Sequence, residues 1–455
     1  MGCSAGRTPK TGCAGRANKQ SNTQYIEEQA TIPVERHTAD AYAEHQGTYL
    51  GSAAANRGLL ALTTRMPGIE VASAVQGYIR NHGGRRAQVD ALMYPLYANG
   101  QPAAIQLLLG ISRRFKQKSV QETADKLVQA LADKRGWTAD ELADRTIPTA
   151  GFGDDRLLRL SFGQREFLGR ATPGGGIELS TEDGKPIKGL PAPRADEDEA
   201  TVKEAKAALT TARKELKSVL AMQTARLFEA MCAGRSWPAS DWNEYLAAHP
   251  LVSQLVTRLV WLENPGSAQR AFRPSEDGAL LDLNDESVDL EVDARIGLAH
   301  RVTVGEEASA SWTAHLADYG VTPLFDQFSH AAPAVPTTAT ELHDLKGHLT
   351  DTFTFRGVAT KRGYARGTAE DGGCFFEYTK QFGSAGLVAV LGFTGSYVPE
   401  ENMACATTTL SFRRGRRRVA LGDVPKILLA ECYGDYQAMA ALGPFDADWE
   451  KKAAL

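Results

Sequence analysis

No stretch of the chain reaches the 18 or so consecutive apolar residues that a membrane-spanning helix requires. The longest, 387–393, has the length of a strand, so no membrane insertion is expected. Cysteine is scarce. The six residues at 3, 13, 232, 374, 405 and 432 show no paired spacing, so reduced thiols, no disulfides and a cytoplasmic location are expected. A global basic excess is also missing. Lys plus Arg number 51 against 55 Asp plus Glu, a net charge of −4 that excludes a dedicated nucleic-acid coat. Familiar catalytic signatures fail as well. Gly184-Lys185 is followed by Pro186 and has no glycine five residues earlier, so it is no P-loop. Gly151-Phe152-Gly153 lacks the third glycine of a dinucleotide fingerprint and precedes strands, which makes it a turn. Gly-x-Ser-x-Gly, His-Glu-x-x-His and Cys-x-x-Cys do not occur, which disfavours the common hydrolase, zincin and zinc-ribbon chemistries.

What is present is average globular usage, 43% hydrophobic and 23% charged, over 455 residues, enough for roughly three folding units. Residues 1–45 carry few large apolar side chains and are expected to be a disordered leader; Gly6 stands where a myristoylation signal needs Ser or Thr. Over 46–148 the apolar spacing is helical: Val71, Val75, Tyr78 and Ile79; Val89, Leu92, Met93 and Leu96; Val120, Ala124, Leu127, Val128 and Leu131. Breakers at Pro67, Gly83-Gly84 and Gly100 space these as one helix plus a turn, the rhythm of a short HEAT-like helical repeat. Thr138 with Glu141 forms a capping box that announces one more helix.

Beyond Gly151 the period falls to two. Residues 149–330 read as a β-meander with Gly-rich turns, then a long helix opened by the acidic run 196–199 and striped by Val202, Leu209, Leu216, Leu220 and Leu227. A helix after Ser240, an ambiguous segment 251–261 and short strands over 270–304 follow. The Pro- and Ala-rich segment 331–340 reads as a connector. The last part, 331–455, then continues with strands at 375–378, 387–393 and 404–412 and a C-terminal helix bearing Val424, Leu428, Cys432, Tyr436 and Met439. Helices and antiparallel strands in separate blocks make the fold class α+β: a helical-repeat segment followed by a mixed α+β domain with antiparallel sheets.

Few residues suggest chemistry. His343 and His348 are spaced too divergently for one helix face and read as surface histidines. His300, after the apolar 296–299, is either a core-edge hydrogen-bonder or a site residue. Glu370, Asp371, Glu377, Glu400 and Glu401 would be acid/base material if the last strands converged them, so His300, Glu377 and Glu401 are the catalytic candidates. Arg413, Arg414, Arg416, Arg417 and Arg418 crowd one strand-to-strand turn, able to engage phosphates or to discourage edge pairing. A second basic cluster is Arg113, Arg114, Lys116 and Lys118. No metal or cofactor is expected.

The C-terminal text carries a resemblance: Arg362-Gly363-Tyr364, Arg366-Gly367, 370–373, Phe376-Glu377-Tyr378, 387–390, Pro399-Glu400-Glu401-Asn402, Val424-Pro425, 428–433 and 445–450. In this order, with upstream matches at Gly136-Trp137-Thr138, Leu259-Val260-Trp261 and Pro323-Leu324-Phe325, the chain resembles MolR-type bacterial proteins that end in the WGR-associated domain of unknown function 4132. His330 stands where an Arg is usual and Arg301 where a Pro is usual; no WGR domain is found. The resemblance implies a cytoplasmic protein with helical repeats before an α+β end, some relatives being encoded near MoxR-like AAA ATPases. It supplies no catalytic residues. Arg362, Asp371, Tyr378, Asn402 and the five turn arginines are the expected binding residues. The leading expectation is a non-catalytic interaction protein that docks a partner, such as an AAA ATPase in a stress or conflict system. A nucleic-acid-binding regulator and an enzyme using the C-terminal carboxylates are the alternatives.

Overall fold

The computed structural model describes residues 57–115, 117–266 and 269–453. The expected leader, Cys3, Cys13 and Lys116 lie outside the described residues, as do the side chains of Arg114 and Asp371. Four helices stand where the 3.6-residue spacing predicts them: α1 (Gly68–His82), α2 (Arg86–Asn99), α3 (Pro102–Arg114) and α4 (Lys118–Arg135). Proline at the first position of α3 needs no amide partner there, and Gly100 ends α2 in the left-handed conformation at φ 65°. The short α5 (Ala139–Arg145) is opened by the predicted capping box, the Thr138 hydroxyl accepting from Glu141 N and the Glu141 carboxylate from Thr138 N. Each helix packs on the next, and α1 also meets α3 while α2 meets α4. Their shared core holds Val89, Met93, Leu96, Ile105 and Val120 without exposure.

A four-stranded antiparallel meander follows: β1 (Leu157–Ser161), β2 (Glu166–Ala171), β3 (Ile177–Thr181) and β4 (Pro186–Ile187), paired in chain order. Leu158, Leu160, Phe167 and Leu179 turn inward at alternate positions, toward the 35-residue helix α6 (Glu199–Ala233). That helix begins later than the acidic run suggested, because the acids have separate work. Asp198 caps it by accepting from Thr201 N at 2.8 Å, while Glu197 stays outside, held down to about 2 by hydrogen bonds from Arg165.

The second sheet has the order β5-β9-β6-β7-β8, from β5 (Ser236–Pro238), β6 (Trp261–Glu263), β7 (Arg270–Pro274), β8 (Leu280–Leu281) and β9 (Arg295–Leu298). The ambiguous 251–261 segment resolves into one helical turn, Ser253–Val256, and then β6. The strands expected to run to 304 stop at Leu298, where the chain makes the one-turn helix Arg301–Val304 and then α7 (Glu306–Asp318). Behind this sheet Trp237, Trp242, Trp261 and Phe272 form an edge-to-face chain, ring centroids 5.3 to 6.0 Å apart.

The third sheet is built on three long strands, β13 (Cys374–Phe382), β14 (Leu387–Tyr397) and β15 (Ala404–Arg414). The short β10 (Glu341–Leu342), β11 (Leu349–Asp351) and β16 (Arg417–Arg418) all pair with β15, and β12 (Ala365–Arg366) pairs with β13. Between β11 and β12 lies α8 (Thr352–Lys361), absent from the sequence reading because Thr, Phe and Gly weaken its helical signal; Asp351 caps it. The last long helix, α9 (Lys426–Ala440), is buried nearly all round, the mark of a helix inside the structure. All strand pairing is antiparallel, and the described chain is mixed α+β.

Two large cores result. One joins the meander, α6 and the second sheet; the other joins the third sheet, α8 and α9. Helices α6 and α9 pack on each other and each enters both cores, α6 sending Cys232 into the second and α9 sending Ile427 into the first. From Leu60 onward the contacts define one compact unit. Trp261 is wholly buried at the centre of the aromatic chain. Trp261→Ala is therefore expected to cost about 3–5 kcal/mol in urea unfolding, whereas truncating the exposed Val292 should leave stability within about 0.5 kcal/mol.

Candidate functional site

The helix that both cores share also carries charge. Glu431 and Asp435 lie one turn apart on α9, in a sequence mostly of Ile, Leu, Ala, Cys, Met and aromatic residues, and both are buried at 6% and 5% exposure. A buried carboxylate must recover its lost hydration from donors, and each finds two from distant segments. Glu431 Oε1 lies 3.1 Å from His300 Nε2 and 2.8 Å from His330 Nδ1. Asp435 accepts from Arg362 Nη1 at 2.8 Å and from Lys380 Nζ at 3.2 Å. The buried Tyr364 ring stands over Lys380, and burial beside Cys432 and Asp435 raises its phenol far above the usual range.

The tautomers follow from the geometry. Val302 N donates to His300 Nδ1 at 3.0 Å, so the His300 proton sits on Nε2 and points at Glu431. His300 is thus the N-cap of the turn Arg301–Val304 on one side and a donor to α9 on the other. His330 donates through Nδ1, and its Nε2 remains able to take a proton. The ring rests on Gly434, where a Cβ would stand 2.4 Å from it; only glycine lets α9 seat this imidazole. Burial pulls the Glu431 carboxyl upward, but hydrogen bonds from the two histidines outweigh it and hold the group below its ordinary value. The same hydrogen bond raises His330 despite its burial.

A third buried carboxylate repeats the pattern. Asp144 at the end of α5 accepts from Arg226 of α6, from Arg235 and, at 2.8 Å, from the indole of Trp237. Burial again opposes the charge, and the two guanidinium groups win, keeping Asp144 low. This node ties the helical segment to α6 and the second sheet.

The residues singled out from sequence are scattered by comparison. His300 is in the α9 cluster. Glu377 on β13 is paired with Arg413 across the sheet, and Glu400 accepts from Arg356 at 2.7 Å. Glu370 and Glu401 are exposed, the backbone carbonyl of Glu401 accepting from Thr352 Oγ1 at 2.5 Å. Arg362 is bound to Asp435, Tyr378 is buried among Phe355, Phe375 and Phe393, and Asn402 helps cap α8 through Phe353 N. The arginine turn is the β15–β16 hairpin, with Gly415 at φ 61°. Arg413 and Arg418 are engaged by Glu377 and Glu341, while Arg414, Arg416 and Arg417 are exposed. His343 is exposed beside Glu341, and His348 bonds the Gly443 carbonyl at 3.0 Å. Among the described residues no group of His, Cys, Asp and Glu is arranged to hold a metal ion, the four cysteines are free, and no helix is long and apolar enough to cross a membrane.

Sequence reasoning missed Glu431, Asp435, Lys380 and Asp144. The signal for the first two was present: acids four residues apart within a helix with apolar residues on every side cannot face water.

Residues 184–364 match the family described as a domain of unknown function (DUF4132). Over 235 residues the chain is 32% identical to the uncharacterized protein YehI of Escherichia coli (strain K12), an alignment that takes in 51% of this chain and 19% of that protein. The chain therefore matches about a fifth of this relative's length. No solved structure matches it. The family match includes His300 and His330 but ends before α9.

Glu431→Ala leaves the fully buried His300 without its acceptor and is expected to cost about 3–5 kcal/mol in chemical denaturation. Glu377→Ala, whose ion pair with Arg413 is about one-third exposed, should cost below about 1 kcal/mol. Because the folded Glu431 carboxyl is depressed, its contribution is complete above its ordinary value of 4.5 and is lost as pH falls through the lower folded value. The acid limb of the stability profile should accordingly flatten in Glu431→Gln.

Proposed function

We propose that this chain is a non-catalytic interaction module of the bacterial cytoplasm, of the MolR type, in which a HEAT-like helical segment and the α+β part together dock a protein partner. The observation that carries this reading is where the charged groups go. Glu431, Asp435, Asp144, Glu377 and Glu400 are each met by cations or imidazoles of the same chain, and these pairs join distant segments rather than converging on a reacting centre.

A docking place is supported by a groove of about 470 Å³ between α3 and α4 on one side and the β13–β14 turn on the other. Gln121 reaches Gln381 across it at 3.3 Å, and Arg113, paired with Asp140, forms part of its wall. Stacked helices present such concave faces to extended segments of other proteins. The resemblance to MolR-type proteins makes an AAA ATPase of a stress or conflict system the partner to seek first. Asp125 lines the groove and is exposed, so Asp125→Trp fills it without disturbing the core. A protein that co-purifies with the full chain at high salt and is lost with Asp125→Trp supports the reading. Equal recovery on both chains removes the groove from it, and turnover of a nucleotide or nucleic acid by the purified chain contradicts it.

One observation favours nucleic acid as a second reading: Arg414, Arg416 and Arg417 stand exposed together at the tip of the β15–β16 hairpin. Three phosphate contacts would give log K against log salt a slope of roughly −3. Replacing the three arginines with alanine should abolish that slope, and binding that is absent at low ionic strength ends this alternative.

A further inference from the structure

We infer that His330 is a latch whose protonation holds the strap 331–339 over a cleft beside the N-terminal end of α9. The strap is Ala- and Pro-rich, largely exposed, and without regular structure. It forms one wall of a cleft of about 550 Å³, faced by Val302 and Arg301 on one side and by Val424 and Leu429 on the other.

Its attachment is confined to its ends. Before it, the chain is fixed: Gln327 is buried and bonds both Val260 and Ala299, and the amide of Arg301 donates to the Gln327 carbonyl at 2.9 Å. His330 then makes the last side-chain contact before the strap, Nδ1 to Glu431 Oε1 at 2.8 Å, with the ring seated on Gly434. After the strap, the amides of Leu421 and Gly422 donate to the carbonyls of Ala339 and Thr337 at 2.7 and 3.0 Å. Between these anchors only Val335 packs against the core.

The near anchor is the one that titrates. His330 is partly open to water, 24% exposed, and the charges that face it are Glu431 and Asp435 from α9 and Asp326 from its own loop. Arg362 and Lys380 already neutralise Asp435, and His300 holds the other side of Glu431 as a neutral donor whose second nitrogen is used by Val302. The protonated imidazole therefore has two counter-charges not already met by a cation, Glu431 in direct contact and Asp326 of its own loop. With His330 raised in the folded state, the ionic contribution to the latch is complete below its ordinary value of 6.5 and is lost as pH rises through the folded value, leaving the neutral Nδ1 hydrogen bond. The strap is held most firmly in acid and loosened in base, the opposite order to a carboxylate-driven clasp.

The test is hydrogen exchange of the full chain at the Leu421 and Gly422 amides, corrected for intrinsic exchange, between pH 6 and pH 8.5. Protection at both should fall across the range as His330 loses its proton, while amides in the middle of α6 keep theirs. His330→Gln retains a donor but cannot titrate, so it should hold an intermediate protection independent of pH. This partly exposed position tolerates the change, and unchanged α6 protection certifies the fold. Protection that does not vary with pH in the unaltered chain, or variation that survives in His330→Gln, overturns the latch.

Discussion

A carboxylate removed from water costs several kcal/mol unless donors replace its hydration, and α9 carries two of them through the middle of the molecule. Everything near the helix is arranged by that requirement. His300 must end the second sheet where it can reach Glu431, the loop before 331 must bring His330 back to the same oxygen, and Arg362 and Lys380 must leave the third sheet and its flanking helix toward Asp435. The two cores also interlock through apolar residues, α6 sending Cys232 into the second and α9 sending Ile427 into the first. The four donors fix one relative placement, because any other leaves a buried charge unpaired.

The same logic recurs at Asp144, where Arg226, Arg235 and Trp237 bind the helical segment to α6. Polar nodes of this kind add little net stability over well-packed apolar residues, yet each is expensive to break on one side. They act as registers between modules. An assembly of a helical segment and three sheets held in register suits a protein that presents fixed surfaces, which is how the proposed interaction role draws on the fold.

Much of the architecture was legible in the residues. The four helices, the capping box at Thr138, the meander and the C-terminal helix all follow from periodicity and turn chemistry, because each is stabilised locally. Helix α8 was not legible, since its Thr- and Phe-rich sequence is held helical by the Asp351 cap and by burial of Phe355. The polar site was legible only in part. His300 drew notice from its place after an apolar strand, but its partner lies 131 residues away, and a pairing that distant has no sequence signature. His330 was visible only as a departure from the resembled family, whereas Glu377, Glu400, Arg413 and Arg418 looked suggestive because local charge density does not reveal that each is paired with a distant residue.

The central claim is that charge pairing on α9 makes the two large cores one cooperative unit. Urea unfolding followed by two probes tests it: tryptophan fluorescence of a chain carrying Trp137→Phe, Trp312→Phe and Trp449→Phe, which leaves Trp237, Trp242 and Trp261 of the first core, and thiol labelling of Cys405 and Cys432, buried in the second. The account predicts that the two transitions coincide in midpoint and slope. Labelling of Cys405 and Cys432 at a urea concentration that leaves the tryptophan signal native would show two independent cores and contradict it.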